Sequence, residues 1–406
     1  MMLAALRQDI TPNHDIVANS GIRRIAIVVV GDETYGVQRF VCSFIQALRD
    51  EGIGVAVIAM EPGPMLSACL AAGAEGHACS AGAPPDFGKL KDAVRVAQYT
   101  TRSVRLLAAA LKEVRAHAVL VRTSYLVALV AVAARMAGTA SFWLLPNLVS
   151  DRYPLSLNKL TYDVLMRACG MLPIANSHRT QASLLNLLAP SRVAHLGINP
   201  DEFDPASVVP LNRKDMGLAD GDAVVGVFAR LVPFKGQKLL VEALAARKER
   251  YPNLKLLVCG GPTTGDYFQE LKRTIAYHRL HDRVILTGQV ADAQRHYGLC
   301  DLVASVRIDP EPFGLSVIEG MLMEKPVLVH ALGGPAETVA DGVTGWHIKA
   351  PTLDRFAAGL DAALSDRSRW TTMGQDARLH ALAQYTHRDA ARRILAIMSE
   401  WTGGAR

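Results

Sequence analysis

Arg230 and Lys235 stand five positions apart in the segment Phe228-Ala229-Arg230-Leu231-Val232-Pro233-Phe234-Lys235-Gly236, which leaves a β-branched run and enters a helical pattern. Arginine offers a planar donor fork and lysine a compact point charge, and the N–H groups at a helix start favour an anion. Together they suit a diphosphate. Basic residues also gather at loop-to-helix junctions that bind nothing, so the pair needs company. It comes from Asp309-Pro310-Glu311-Pro312-Phe313-Gly314-Leu315-Ser316-Val317-Ile318-Glu319, where two carboxylates stand eight positions apart. On a wheel through Leu315, Ile318 and Leu322, Glu319 flanks the apolar stripe, where a carboxylate is costly without a specific partner. A sugar diol is such a partner. Glu311 precedes that helix, beside amides suited to phosphate, and is expected to meet sugar hydroxyls instead. A carboxylate at a helix start also gains about 0.3–1 kcal/mol from the dipole alone.

Weaker signals surround these two segments. Leu332-Gly333-Gly334-Pro335-Ala336-Glu337 joins a strand to a helix with glycines that permit close backbone approach, and an ordinary turn explains it nearly as well. In the first half, Gly31-Asp32-Glu33-Thr34-Tyr35-Gly36-Val37-Gln38-Arg39 opens a helix with glycines that admit a sugar or diphosphate, outside the spacing of a dinucleotide fingerprint. Asp220-Gly221-Asp222 has the residues of a turn and is not taken as a metal site. His195, His278, His281 and His296 form no ligand pattern, and the six cysteines lie far apart, as reduced thiols that pack in a core do.

These segments need strands to carry them. Ile25–Val30, Val55–Met60, Val119–Val121, Phe142–Leu145, Leu172–Ala175 and Arg192–His195 read as strands in the first half, with helical stretches between most of them. Val224–Phe228, Leu254–Cys259, Val284–Leu286, Leu302–Ala304 and Val327–Val329 repeat the grammar in the second. Pro200, Pro205 and Pro210 mark an irregular stretch between the halves. The expectation is an α/β protein of two Rossmann-like, doubly wound domains facing a central cleft. Its boundaries are a lead-in over 1–21, a first domain over 22–200, a second over 201–384, and a last helix over 385–406. A chain of 406 residues with 50% hydrophobic content fills two such cores. No apolar stretch reaches the roughly 20 residues of a membrane span, and residues 1–20 lack the order of a secretory signal.

The formal charge of +6 is too slight to argue for nucleic acid without a concentrated patch or a recognisable binding module, so no nucleic-acid partner is expected. One basic concentration stands out: Lys89 to Arg115 holds seven cations against Asp92 and Glu113. If the segment is helical, Lys91, Arg95, Arg102, Arg105 and Lys112 share a stripe. A solvated face accounts for this, as does a surface resting on anionic lipid headgroups at about 1 kcal/mol per cation.

Taken together, Arg230 to Gly236, the Glu311/Glu319 pair around Pro312-Phe313-Gly314, and Gly333-Gly334 before Glu337 resemble glycosyltransferase family 4, the large retaining GT-B family. Gly36-Val37-Gln38-Arg39, Ala175-Asn176-Ser177, Gly197-Ile198-Asn199 and Asp341-Gly342-Val343-Thr344-Gly345 extend the similarity over roughly residues 22 to 370. The resemblance implies a sugar-transferring enzyme whose UDP- or GDP-linked donor is held mainly by the second domain. Arg230 and Lys235 would hold the diphosphate, Glu319 the ribose and Glu311 the transferred sugar. Phe313 and the amides of Gly314, Leu315 and Ser316 would lie alongside, with the nucleobase near Val290 and Gly36 reaching the donor from the first domain. Glu311, Arg230 and Lys235 would be the catalytic set, and the last helix, over 385–406, would pack back on the first domain. The implied chemistry is front-face displacement with retention, needing no metal and no further cofactor.

Two departures stand out. Many relatives place a donor-touching histidine where this chain has Pro146-Asn147, so Asn147 is the candidate sugar contact here, and Gly320 replaces the usual alanine after Glu319, leaving room beside the ribose. The acceptor is expected to be a saccharide or a lipid-linked glycan, met in the cytoplasm or on the inner membrane face. Two alternatives stay open: a non-catalytic relative that binds a sugar nucleotide, and an NAD-dependent oxidoreductase, which lacks its glycine fingerprint here.

Overall fold

The computed structural model describes residues 21–31, 36–82, 85, 92–151 and 156–403. Residues 1–20 of the expected lead-in, Asp32 to Tyr35 of the first glycine loop, and Lys89 and Lys91 of the basic segment lie outside the described residues. The chain divides into two compact units, Met1–Gly197 with His387–Arg406, and Ile198–Thr386.

The first unit runs β1 (Arg24–Val29), α1 (Gly36–Asp50), β2 (Gly54–Ala59), α2 (Pro64–Ala71), β3 (Glu75–Ala78), α3 (Ala93–Glu113), β4 (Ala118–Val121), α4 (Val127–Ala137), β5 (Ala140–Leu145), α5 (Leu157–Cys169), β6 (Leu172–Ala175), α6 (His178–Gln181) and β7 (Arg192–Val193). All neighbouring strands pair in parallel in the order β3-β2-β1-β4-β5-β6-β7. Ile25 to Val29 are all buried, so β1 reads as a continuous apolar run rather than an alternating one, as a strand covered on both faces must. Val28, Val121 and Trp143 from the sheet join Leu107, Leu111 and Val130 from α3 and α4 in one core. The edge strand β3, Glu-Gly-His-Ala, is largely exposed and has no apolar run to announce it.

The second unit continues with β8 (Ala223–Phe228), α7 (Gln237–Ala245), β9 (Leu254–Cys259), α8 (Asp266–Tyr277), β10 (Val284–Gly288), α9 (Ala293–Tyr297), β11 (Leu302–Ser305), α10 (Leu315–Leu322), β12 (Val327–His330), α11 (Pro335–Thr338), β13 (Gly345–Ile348), α12 (Leu353–Ser365) and α13 (Trp370–Gln384). Its parallel sheet has the order β10-β9-β8-β11-β12-β13. Both sheets therefore reverse direction beside their first strand, between β1 and β4 and between β8 and β11. Such a switch point opens a crevice outside the carboxyl ends of the strands, the usual ligand position in open α/β sheets.

A final helix, α14 (His387–Gly403), belongs to the first unit. Its Ala390, Ala391, Ile394, Leu395 and Met398 are fully buried, and Arg388 and Arg392 pair with Asp50 at 3.1 Å and Glu51 at 2.7 Å, at the carboxyl end of α1.

Candidate functional site

The switch point of the second unit brings two distant segments together. The loop after β8 ends in a tight turn, Pro233–Lys235, and Ile308 N donates to Phe234 O at 2.9 Å, fastening that turn to the exit of β11. Gly236 makes the contact possible: its φ is 74°, and a Cβ there would lie 2.0 Å from the Val306 carbonyl oxygen. As a result Lys235 Nζ donates to Glu311 Oε2 at 2.6 Å, with side-chain exposures of 18% and 13%.

The second Glu311 oxygen faces another cation. Arg307 Nη1 lies 3.4 Å from Glu311 Oε1, while Nη2 donates to Asp309 Oδ2 at 3.1 Å and Nε to Asp309 Oδ1. The guanidinium also stacks over the Phe234 ring at 4.8 Å, and the Arg307 carbonyl is 2.6 Å from His330 Nδ1. Burial lowers the Arg307 pKa, but Asp309 and Glu311 raise it further, leaving it above its ordinary value.

Backbone geometry fixes Glu311 from the other side. Its N–H donates to Leu332 O at 2.9 Å, and Gly334 N donates to its carbonyl at 2.8 Å. A Cβ on Gly333, where φ is 112°, would lie 2.1 Å from the Glu311 carbonyl oxygen. The Gly333-Gly334 pair is thus the surface against which the Glu311 segment rests.

Glu319 is held differently. It lies in the second turn of α10, only 7% exposed, and Tyr297 donates its hydroxyl to Oε2 at 2.7 Å. Tyr297 is fully buried and stacks on Phe228 with ring centroids 3.6 Å apart. Gly314 caps the start of α10, Leu315 and Ser316 are half-buried in its first turn, and Phe313 is buried edge-on to Tyr385.

The remaining sequence candidates are not brought into that contact. Arg230 is exposed; its carbonyl accepts from Gln237 Nε2 at 2.8 Å, and its guanidinium makes no ion pair among the described residues. Val290 is half-buried in the loop after β10. Gly36 opens α1 and Asn147 is exposed after β5, both in the first unit. The expectation for Gly320 is corrected: a Cβ there would meet Val303 Cβ at 3.0 Å, so the glycine faces β11 inside the core rather than a ribose. Asp222 caps its own turn by accepting from Ala219 N at 2.8 Å, and the described residues hold no cluster of three or more His, Cys, Asp or Glu able to hold a metal. All six cysteines are free thiols, and burial pushes Cys259 up to about 12.

Chemically, the arrangement places a cation and a carboxylate side by side at a strand switch point, with a second, hydrogen-bonded carboxylate one helix turn in. Such a set can offer a cation to an anion and carboxylate acceptors to hydroxyl groups. Residues 208–380 match the sequence pattern of the family described as glycosyl transferases group 1. Most of the second unit therefore carries that family's sequence pattern. A GDP-mannose-dependent alpha-(1-6)-phosphatidylinositol monomannoside mannosyltransferase of Mycolicibacterium smegmatis is 29% identical over 236 residues, 55% of this chain and 60% of that protein. A D-inositol 3-phosphate glycosyltransferase of Nocardia farcinica is 35% identical over 176 residues, 42% of this chain and 39% of that one. The chain thus spans about half the length of these relatives.

Solved structures extend the likeness to the whole fold. Anabaena Alr3699/HepE in complex with UDP and glucose superposes with a TM-score of 0.75 and 23% identity, covering 92% of this chain and 98% of its own. A glycosyltransferase from Rickettsia africae reaches 0.80 at 22% identity, covering 94% and 99%. The unit that carries the glycosyl transferases group 1 pattern is therefore one of two parallel-sheet units in a GT-B fold. Sequence reasoning missed Arg307 and Tyr297 in it. Arg307 meets Asp309 and Glu311 of its own loop and the Phe234 ring of the loop after β8, while Tyr297 meets a carboxylate 22 positions on; neither has a local pattern that marks it.

Proposed function

We propose that the protein is a retaining, metal-independent glycosyltransferase that moves a sugar from a UDP- or GDP-linked donor to a saccharide or lipid-linked acceptor in cell-surface polysaccharide or glycolipid synthesis. The observation that carries this is the Lys235–Glu311 pair at the switch point of the unit that carries the glycosyl transferases group 1 pattern. Lys235 and Arg230 take the donor diphosphate, the Gly314 to Ser316 amides lie beside it, Glu311 accepts hydroxyls of the transferred sugar, Glu319 meets the ribose, and the Val290 loop borders the base. In the reaction the anomeric carbon–phosphate oxygen bond breaks while the acceptor oxygen bonds the same carbon on the same face. The acceptor proton passes to the departing phosphate oxygen. Negative charge then grows on the diphosphate, and preorganised cations stabilise it without waiting for solvent to reorient.

A mycobacterial relative named for a phosphatidylinositol mannoside, and a neighbour crystallised with UDP-glucose, support this substrate class. For the acceptor side we propose a membrane surface met by α3. Arg95, Arg102, Arg105 and Lys112 are exposed there, and Val104, Leu129, Val132 and Met136 line an apolar groove of about 350 Å³ beside Arg105. No helix among the described residues is long and apolar enough to cross a membrane. Docking of this kind would place the protein on the inner, cytoplasmic face.

The test is thermal stabilisation by UDP-, GDP-, ADP- and TDP-sugars, NAD and NADP, each with and without EDTA, because a ligand stabilises only the state it binds. One nucleotide sugar is expected to raise Tm, to keep doing so in EDTA, and to fail with Lys235→Ala, whose sugar transfer falls by at least a hundredfold. A response to NAD or NADP alone would replace this reading with an oxidoreductase; a nucleotide-sugar response with no transfer to any acceptor would leave a non-catalytic binder.

A further inference from the structure

We propose that Arg307 is a positioning residue: it holds the Glu311 carboxylate in place while a bound diphosphate draws Lys235 away, an inference that rests on the donor-site reading above. The two carboxylate oxygens of Glu311 are divided between two cations, Oε2 facing Lys235 at 2.6 Å and Oε1 facing Arg307 at 3.4 Å. Among the described residues, no other side chain pairs with this carboxylate.

The two cations differ in how they are fixed. Lys235 ends a flexible stem, and among the described residues its side chain pairs with Glu311 alone. Arg307 is held by both oxygens of Asp309, by the face of Phe234, and by His330 at its carbonyl. The Asp309 and His330 contacts lie outside the Lys235 turn, so they hold Arg307 when the lysine side chain moves. Four charges balance in the free site, Lys235 and Arg307 against Glu311 and Asp309. A diphosphate that pairs with Lys235 upsets this balance, since its negative oxygens approach Glu311 while the ammonium turns toward them. Like charges at such range repel, and the carboxylate has lost the ammonium that fixed one of its oxygens. The rigid fork of Arg307 on the opposite oxygen offsets that repulsion and prevents the carboxylate from swinging out after Lys235 leaves.

The role is indirect, so the test must move more than overall activity. In the full-length protein, Arg307→Gln is expected to lower kcat by about tenfold to a hundredfold, the weight of one charge-assisted hydrogen bond, while donor KM changes by less than about threefold. The acidic limb of the kcat–pH profile moves to higher pH. Arg307→Lys, which keeps the charge and loses the fork, returns the limb toward its original position and recovers part of kcat. Adding Arg307→Gln to Glu311→Gln costs little further, because residues acting through one contact are non-additive. Arg307→Lys also guards against misfolding, since both variants must melt with the wild-type cooperativity.

A wild-type pH profile and kcat in Arg307→Gln, or full additivity with Glu311→Gln, would overturn the assignment while leaving the donor site intact. Thermal shifts by UDP and GDP separate the two ideas: no response from the wild-type protein to either nucleotide or its sugars removes the donor reading and the role of Arg307 with it. A wild-type response with an unmoved acidic limb in Arg307→Gln removes the Arg307 role alone.

Discussion

Tyr297 and Glu319 meet through a single hydroxyl, 2.7 Å long, inside a stack with Phe228 that excludes water. Tyr297→Phe keeps the ring and deletes the donor, so packing is unchanged and one charge-assisted hydrogen bond of about 1.5–3 kcal/mol is lost. If Glu319 binds the ribose, the affinity for the stabilising nucleotide sugar should fall about fivefold to fiftyfold by calorimetry, with Glu319→Gln weakening it similarly. Unchanged affinity in both variants would remove Glu319 from the donor site. The legibility of these residues follows from their context. Lys235, Glu311 and Glu319 show in the sequence because charge interrupts apolar or glycine-rich patterns where a bare fold has no use for it. Tyr297 does not, since an aromatic residue in a short helix is ordinary core, and Arg307 does not, since an arginine just after a strand reads as solvated. Their roles depend on neighbours 22 and 4 positions away that are positioned by chain segments beyond any local pattern.

Elements with compact apolar runs, such as Leu254–Cys259 and Leu172–Ala175, appear in the structure where the sequence places them. The strands β3 and β13 escape the same reading because Glu-Gly-His-Ala and Gly-Trp-His-Ile are short edge segments without an apolar run. Two glycines test the packing between elements. Gly333→Ala puts a Cβ into the Glu311 carbonyl at a left-handed φ, and should lower stability by about 1–3 kcal/mol together with donor affinity. Gly320→Ala presses on Val303 instead and should lower stability by a similar amount without touching affinity. An affinity loss in Gly320→Ala would revive the ribose-side expectation. A pH effect belongs to α13, where burial holds the His380 pKa below its ordinary 6.5 despite a backbone contact with Thr338 that raises it. The folded state then binds fewer protons than the unfolded one as pH falls below about 6.5, so stability is present above that value and lost on acidification toward the folded pKa. Thermal melts between pH 7.5 and 5 should show a decline that is smaller in His380→Gln; identical slopes would assign the acid sensitivity elsewhere.

At the scale of the molecule, the two units use their cations differently. Lys235 and Arg307 of the second unit face carboxylates, Lys235 on Glu311 and Arg307 on Asp309. The cations of α3 in the first unit do not: Arg102, Arg105 and Lys112 make no ion pair among the described residues, and Arg95 reaches only Asp92 at 3.7 Å. Leu107, Leu111 and Val114 bury the opposite side of the helix, so the cations cannot be core-facing and must be met by solvent or by a partner. If that partner is an anionic bilayer, each cation contributes on the order of 1 kcal/mol and the interaction weakens steeply with salt, because the field extends only about 10 Å at 0.1 M. Replacing Arg95, Arg102, Arg105 and Lys112 with serine should then release the protein from phosphatidylglycerol vesicles in a sedimentation assay by roughly a thousandfold in affinity. Pure phosphatidylcholine should retain neither protein, and donor-induced thermal stabilisation should be unchanged, since those residues belong to the first unit. Sedimentation that is equal for both proteins, or insensitive to salt, would mean that the face is merely solvated and that the acceptor is reached by another surface.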